Sequence, residues 1–194
     1  MVVDLKTTLA LPLLQGFQEA GYTDMVISPD EALKMPTEQT VLVIVDTHSK
    51  DFLECRAVYD RIQNVVVIDH HRKMVNYIDR TVVFFHEPFA SSASEMVTEL
   101  IEYLGEGSIG QLEADALLSG IMLDTKNFVL KTGVRTFEAA AFLRKKGADT
   151  VDVYKRQSIP CALKWMEPKQ RIPVVIMLSS MRSAYCVKNP MMSR

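Results

Sequence analysis

Two apolar runs rich in β-branched residues, Val41-Leu42-Val43-Ile44-Val45 and Val65-Val66-Val67-Ile68, each lead directly into an aspartate, Asp46 and Asp69. Continuous apolar runs of this length, bounded by polar residues, suit strands covered on both faces of a parallel sheet. If the two strands are parallel, Asp46 and Asp69 open onto the same edge, outside the carboxyl ends of the strands, where open α/β sheets bind their ligands. Met1–Val3, Met25–Ser28 and Thr81–Phe85 are weaker strand candidates.

Helical stretches lie between these runs. Leu9–Ala20 ends at Gly21, and Asp30–Lys34 and Asp51–Ile62 follow. Ser92-Ala93-Ser94-Glu95 has capping-box spacing, with Val97, Leu100, Ile101 and Leu104 at helical intervals and Gly105 as the stop. Leu112–Leu123 is apolar nearly all round, which predicts a buried helix. Phe137–Lys146 is a further helix, stopped at Gly147. This alternation predicts an α/β fold with a mostly parallel sheet and flanking helices.

The charge balance excludes several function classes. With 22 basic and 24 acidic residues among 194, the chain lacks the basic excess that captures duplex nucleic acid or an anionic membrane surface. Cys55, Cys161 and Cys186 show no CxxC spacing, so neither a disulfide framework nor a thiolate zinc site is expected. No apolar run approaches the roughly 20 residues of a membrane span. A cytoplasmic segment without membrane contact is the expectation. Residues 158–194 differ from the rest, with six basic residues against one acidic (Glu167) and prolines at 160, 168, 173 and 190. That tail reads either as a natural extension, with a strand near Val174–Leu178, or as foreign to the domain before it.

Three short stretches carry candidate chemistry: Val45-Asp46-Thr47-His48, Asp69-His70-His71-Arg72 and Leu123-Asp124-Thr125. Singly, each has a plain reading. Asp46 serves as a turn or cap residue, His48 as a loop histidine, and Asp124 as a helix-end carboxyl satisfied by backbone. Two adjacent histidines at a strand end, as in Asp69-His70-His71, are harder to explain by packing. Together, carboxylates and imidazoles without thiolate suit Mn²⁺, Fe²⁺ or Zn²⁺. Converging carboxylates repel unless a dication neutralises them. A pair of such ions clamps a phosphoryl group and activates water, so the residue types propose metal-assisted phosphoester hydrolysis.

Asp69-His70-His71 and its neighbouring stretches resemble the DHH phosphoesterases. The text around them is similar to the cyclic-di-AMP phosphodiesterases of the GdpP type. The similar stretches are Ile27–Ala32, Val67–Arg72, His86–Ser92, Gly120–Phe128 and Lys131–Ala140, in a similarity running from about Val2 to about Val153. The resemblance implies a Rossmann-like DHH domain over residues 1–153. It implies Asp46 bridging two Mn²⁺ ions, with His70 and Asp124 as ligands of one. It further implies His71 facing the scissile phosphate, Asp69 holding the histidines, and Arg72 contacting phosphate, while His86 and the Ser91–Ser92 pair read as local structure. The substrate implied is cyclic-di-AMP, opened to pApA.

The family's N-terminal His-x-Asp-x-Asp and its Gly-Gly-x-His loop are both missing from this sequence. Asp4 sits in what resembles the second strand of the family. The expectation is therefore a domain without its first strand, an exposed sheet edge that favours dimerisation, and one weak metal site with little turnover. Residues 154–194 are expected to come from a frame or assembly junction. The resemblance implies full-length relatives that are generally membrane-anchored. The alternatives are a nanoRNase-like phosphoesterase of short oligonucleotides and a non-catalytic nucleotide-binding module.

Overall fold

The computed structural model describes residues 1–3, 11–22, 25–38, 40–105, 109–151 and 174–179. Asp4 and most of the 154–194 tail lie outside the described residues. Three parallel strands form the centre: β1 (Thr40–Val45), β2 (Asn64–Asp69) and β3 (Val83–His86). Helices α1 (Leu11–Glu19) and α2 (Pro29–Ala32) precede β1. A 3₁₀ turn (Lys50–Phe52) and α3 (Arg56–Arg61) join β1 to β2. Three helices follow β3: α4 (Ala93–Leu104), α5 (Gln111–Asp124) and α6 (Val134–Lys145). The α/β class expected from the strand–helix alternation is the one observed.

β1 and β2 run in parallel register from Val41 opposite Asn64 to Val45 opposite Ile68, and β3 adds to β2 with His86 opposite Asp69. The strands bury one face more deeply than the other. Leu42, Ile44, Val65 and Val67 are buried with Val58, Tyr59, Ile62 and Ile78, whereas Val41, Val43 and Val45 are half-buried. Alternation of side chains along a strand explains where Asp69 goes. It shares the parity of Val65 and Val67, and so ends β2 fully buried.

Several elements differ from their sequence expectation. The single helix expected over Asp51–Ile62 is broken, because Leu53 adopts an extended backbone and packs with Cys55 against the sheet core. Met1–Val3 and Met25–Ser28 form a single isolated parallel bridge, Val2 to Ile27, in place of two strands. The edge of β1, expected to lie bare, carries β4 (Val174–Ser179), paired antiparallel from Thr40 opposite Ser179 to Val45 opposite Val174. An apolar β-branched run beside unpaired backbone groups is the physical reason for that addition.

The helical layer has its own core, built from Ala114, Leu118, Ile121 and Met122 of α5 with Ala139 and Leu143 of α6. α5 is less enclosed than its composition predicts, with Leu123 half exposed at its end. Gly120 allows α4 and α5 to approach closely: a Cβ there would lie 2.0 Å from Ser94 Oγ and 2.9 Å from Ser94 Cβ. Gly105 ends α4 in the left-handed conformation, φ 61°. The capping box at α4 is half formed. Ser92 accepts from Glu95 N at 3.0 Å, but the buried Glu95 carboxylate turns to Ser91, accepting from its backbone N and its hydroxyl.

Candidate metal centre

Asp46 leaves β1 with φ 65°, a backbone region that few non-glycine residues adopt and aspartate tolerates better than most. Strand alternation alone would send its side chain to the core face beside Leu42 and Ile44; the left-handed turn re-aims it. The turn is pinned to β2, since Asp46 N donates to Ile68 O at 2.9 Å. Such strain is found where a site fixes a side chain that the regular element could not present.

His70 is buried. Its Nδ1 lies 3.2 Å from Ala90 O, and a carbonyl can only accept, so Nδ1 carries the proton. Nε2 then points its lone pair at two carboxylates, Asp46 Oδ1 at 3.3 Å and Asp124 Oδ2 at 3.5 Å. Neither Asp46 Oδ1 nor His70 Nε2 has a hydrogen-bond partner, although both atoms are buried. Three electron-rich groups facing one another need a cation between them, either a proton or a metal. Burial lowers the pKa of His70, but Asp46 and Asp124 outweigh it and the imidazole is raised above its ordinary value. The fixed Nδ1–H···O=C bond is also the usual way to orient a metal-binding imidazole. The residues therefore fit a divalent ion of the kind their chemistry proposes.

Asp69 binds two histidines. His71 Nδ1 donates to its Oδ1 at 2.6 Å, and His48 Nδ1 donates to Oδ2. Burial would raise the Asp69 carboxyl, yet the hydrogen bonds and charges of His71 and His48 hold it down to about 2. An ionised acceptor fixes both imidazoles as Nδ1–H tautomers. His48 Nε2 accepts from Met74 N at 2.9 Å, while the Nε2 edge of His71 is left for other contacts.

His48 is thus more than a loop histidine. It is 1% exposed, with both ring nitrogens engaged. His86 also contributes, its Nε2 donating to the His71 carbonyl and its ring 5.3 Å from that of His48. The only sequence signal for this layer was the adjacency of His48 to Asp46; the contacts come from register. Arg72 stands exposed on the loop directly after His71.

Among the described residues, two groups offer metal-donor atoms within 4.8 Å of one another: Asp46, His70 and His71, and separately His48, Asp69 and His86. The second is consumed by its own hydrogen bonds, because both nitrogens of His48 and both oxygens of Asp69 are taken. The first retains the orphaned atoms, and Asp124 faces it from the end of α5. Asp46, His70, His71 and Asp124 are brought together as the sequence expected, with Asp69 behind them.

The chain is 47% identical over 127 residues to the "Cyclic-di-AMP phosphodiesterase PdeA" of Listeria monocytogenes, covering 65% of this chain and 19% of that protein. It is 50% identical over 137 residues to the "Cyclic-di-AMP phosphodiesterase GdpP" of Geobacillus thermodenitrificans, covering 69% and 21%. The chain therefore spans about a fifth of the length of these relatives. The crystal structure of an exopolyphosphatase-related protein from Bacteroides fragilis superposes with a TM-score of 0.55 at 22% identity, covering 73% of this chain and 39% of that one, a likeness of fold. Among the described residues, no helix is long and apolar enough to cross a membrane. The model of the DHH family, N-terminal domain, matches residues 7–121, and the chain belongs to that family.

Proposed function

We propose that this chain is the metal-holding DHH segment of a phosphodiesterase that opens a cyclic dinucleotide, with Asp46, His70 and Asp124 as ligands of one divalent ion, Mn²⁺ in the first instance. The observation that carries the reading is the buried, partnerless pair Asp46 Oδ1 and His70 Nε2, 3.3 Å apart with Asp124 beside them. The names of the relatives support the substrate class.

A divalent ion at this position supplies neutralisation of the charge on a phosphoryl group. The chain's own residues do the rest. Asp69 holds His71 through Nδ1 and leaves its Nε2 edge to meet the scissile phosphate. His48 and His86 fix Asp69 and the His71 backbone from behind. Arg72 adds a positive charge on the open side.

The test is metal and substrate binding by the whole chain. Mn²⁺ titration by calorimetry should give a site that Asp46→Asn abolishes, and cyclic-di-AMP binding should depend on that ion. Hydrolysis to pApA, followed by chromatography, separates this reading from an oligonucleotide phosphoesterase, which would prefer short linear substrates. Nucleotide binding that survives chelation without hydrolysis would replace both readings with a non-catalytic module.

A further inference from the structure

An open groove of about 720 Å³, a size within the roughly 300–1,000 Å³ of small-molecule sites, is lined by residues that lie close in sequence to those of the metal centre. Its walls include Pro88, Phe89, Phe128, Lys131 and Phe137. Phe128 and Phe137 stack with centroids 5.7 Å apart and planes 16° from parallel. Phe89 is 92% exposed and Phe137 57%, so flat aromatic surface faces solvent where water gains nothing from it.

Both walls hang from segments that hold the metal centre. Pro88 and Phe89 lead into Ala90, whose carbonyl orients His70. On the other side Thr125 follows Asp124 and gathers the next loop around itself. Its Oγ1 accepts from Phe128 N at 2.9 Å, and its carbonyl accepts from Val129 N at 2.9 Å and Leu130 N at 2.7 Å. That loop is strained. Lys126, Asn127 and Phe128 have φ of 50°, 57° and 65°, and Lys131 has φ 49°. A left-handed backbone costs roughly 1–2 kcal/mol per residue, less at Asn127, and in this conformation the Phe128 ring stacks on that of Phe137.

We propose that this groove is a nucleobase subsite, stacking the base of a nucleotide whose phosphate lies at the Asp46–His70–Asp124 centre. The proposal rests on the phosphodiester reading above and extends it to how the substrate is recognised. Exposed aromatic faces accept the π-face of any base, as in single-strand binders. Lys131 on the rim matches an anionic ligand, as a purely apolar peptide groove would not require.

The experiment uses the whole 194-residue chain with Mn²⁺ and two probes, AMP and ribose 5-phosphate, which differ only by the base. AMP should bind at least about tenfold more tightly by calorimetry. Phe89→Ala, which removes an exposed ring and leaves the core untouched, should weaken AMP roughly 5- to 100-fold while ribose 5-phosphate and Mn²⁺ affinities stay unchanged. Phe137→Leu, which keeps apolar volume, should do the same. Equal affinity for the two probes, with Mn²⁺ binding intact, overturns the subsite and leaves the phosphodiester reading standing. Phe89-dependent AMP binding without any Mn²⁺ site supports the subsite and overturns the metal reading. If Phe89→Ala instead turns a dimer into a monomer by light scattering with AMP affinity unchanged, the groove is a contact between copies and the proposal is wrong.

Discussion

Nε2 of His70 faces Oδ1 of Asp46 across 3.3 Å, and neither atom has a hydrogen-bond partner. Burial pushes the His70 imidazole down, but Asp46 and Asp124 raise it overall, so the facing carboxylates favour its protonated form. A histidine raised in this way stabilises the fold fully below its unfolded pKa of about 6.5, and that contribution is lost as pH rises through its folded value. On the proposed reading, a bound divalent ion would take the place of that proton. The increase in Tm on adding Mn²⁺ should therefore be larger at pH 9 than at pH 6, and Asp46→Asn should remove it at both. An equal shift at the two pH values would mean that His70 is not a ligand.

Asp69 behaves oppositely. Its carboxyl is held at about 2 against an ordinary 3.8, so its stabilisation is present above the ordinary value and lost as pH falls through about 2. The fully buried group accounts for about 2 kcal/mol. Urea unfolding of the native chain and of Asp69→Asn should show a stability difference that shrinks by that amount between pH 5 and pH 2. A difference independent of pH would contradict the two-histidine arrangement.

His48 reaches the site chiefly through Asp69. His48→Ala leaves Asp69 Oδ2 and Met74 N without their partner and should cost about 1–3 kcal/mol of stability. It should also weaken Mn²⁺ binding by about 10–100-fold, the usual effect of losing a supporting hydrogen bond. His48→Asn, which still carries a donor and an acceptor, should recover part of the metal affinity. No difference between the alanine and asparagine variants would mean that His48 serves packing alone.

Gly120→Ala should lower stability by about 1–2 kcal/mol despite the better helix propensity of alanine, because its Cβ meets the Ser94 side chain. Thermal unfolding measures it. Ser94→Gly in the same chain should recover most of the loss, and a failure to do so would place the cost elsewhere.

Much of the fold was legible because its main signals are local. The runs ending at Val45 and Ile68 could scarcely be anything but inner strands, and Ser92 and Gly105 mark the ends of α4 by backbone chemistry alone. The carboxylates and imidazole at Asp46, His70 and Asp124 stood out as residue types of metal-assisted chemistry, and the family resemblance implied their roles. What escaped depends on register. His48 looks polar and exposed in a string of loop residues, and only the pairing of β1 with β2 brings it onto Asp69. Glu95 has the spacing of a reciprocal cap, yet its burial beside Ser91 decides its partner. The pairing of Val174–Ser179 with β1 spans more than a hundred residues of chain, beyond the reach of any local pattern.

The left-handed backbone at Asp46 narrows the alphabet at that position. Glycine and asparagine suit the conformation but bring no negative charge. Glutamate brings the charge but lacks the short side chain that tolerates the turn. Among the twenty amino acids aspartate meets both demands at the lowest conformational cost, so substitution at position 46 is disfavoured by stereochemistry as well as by whatever the carboxylate binds.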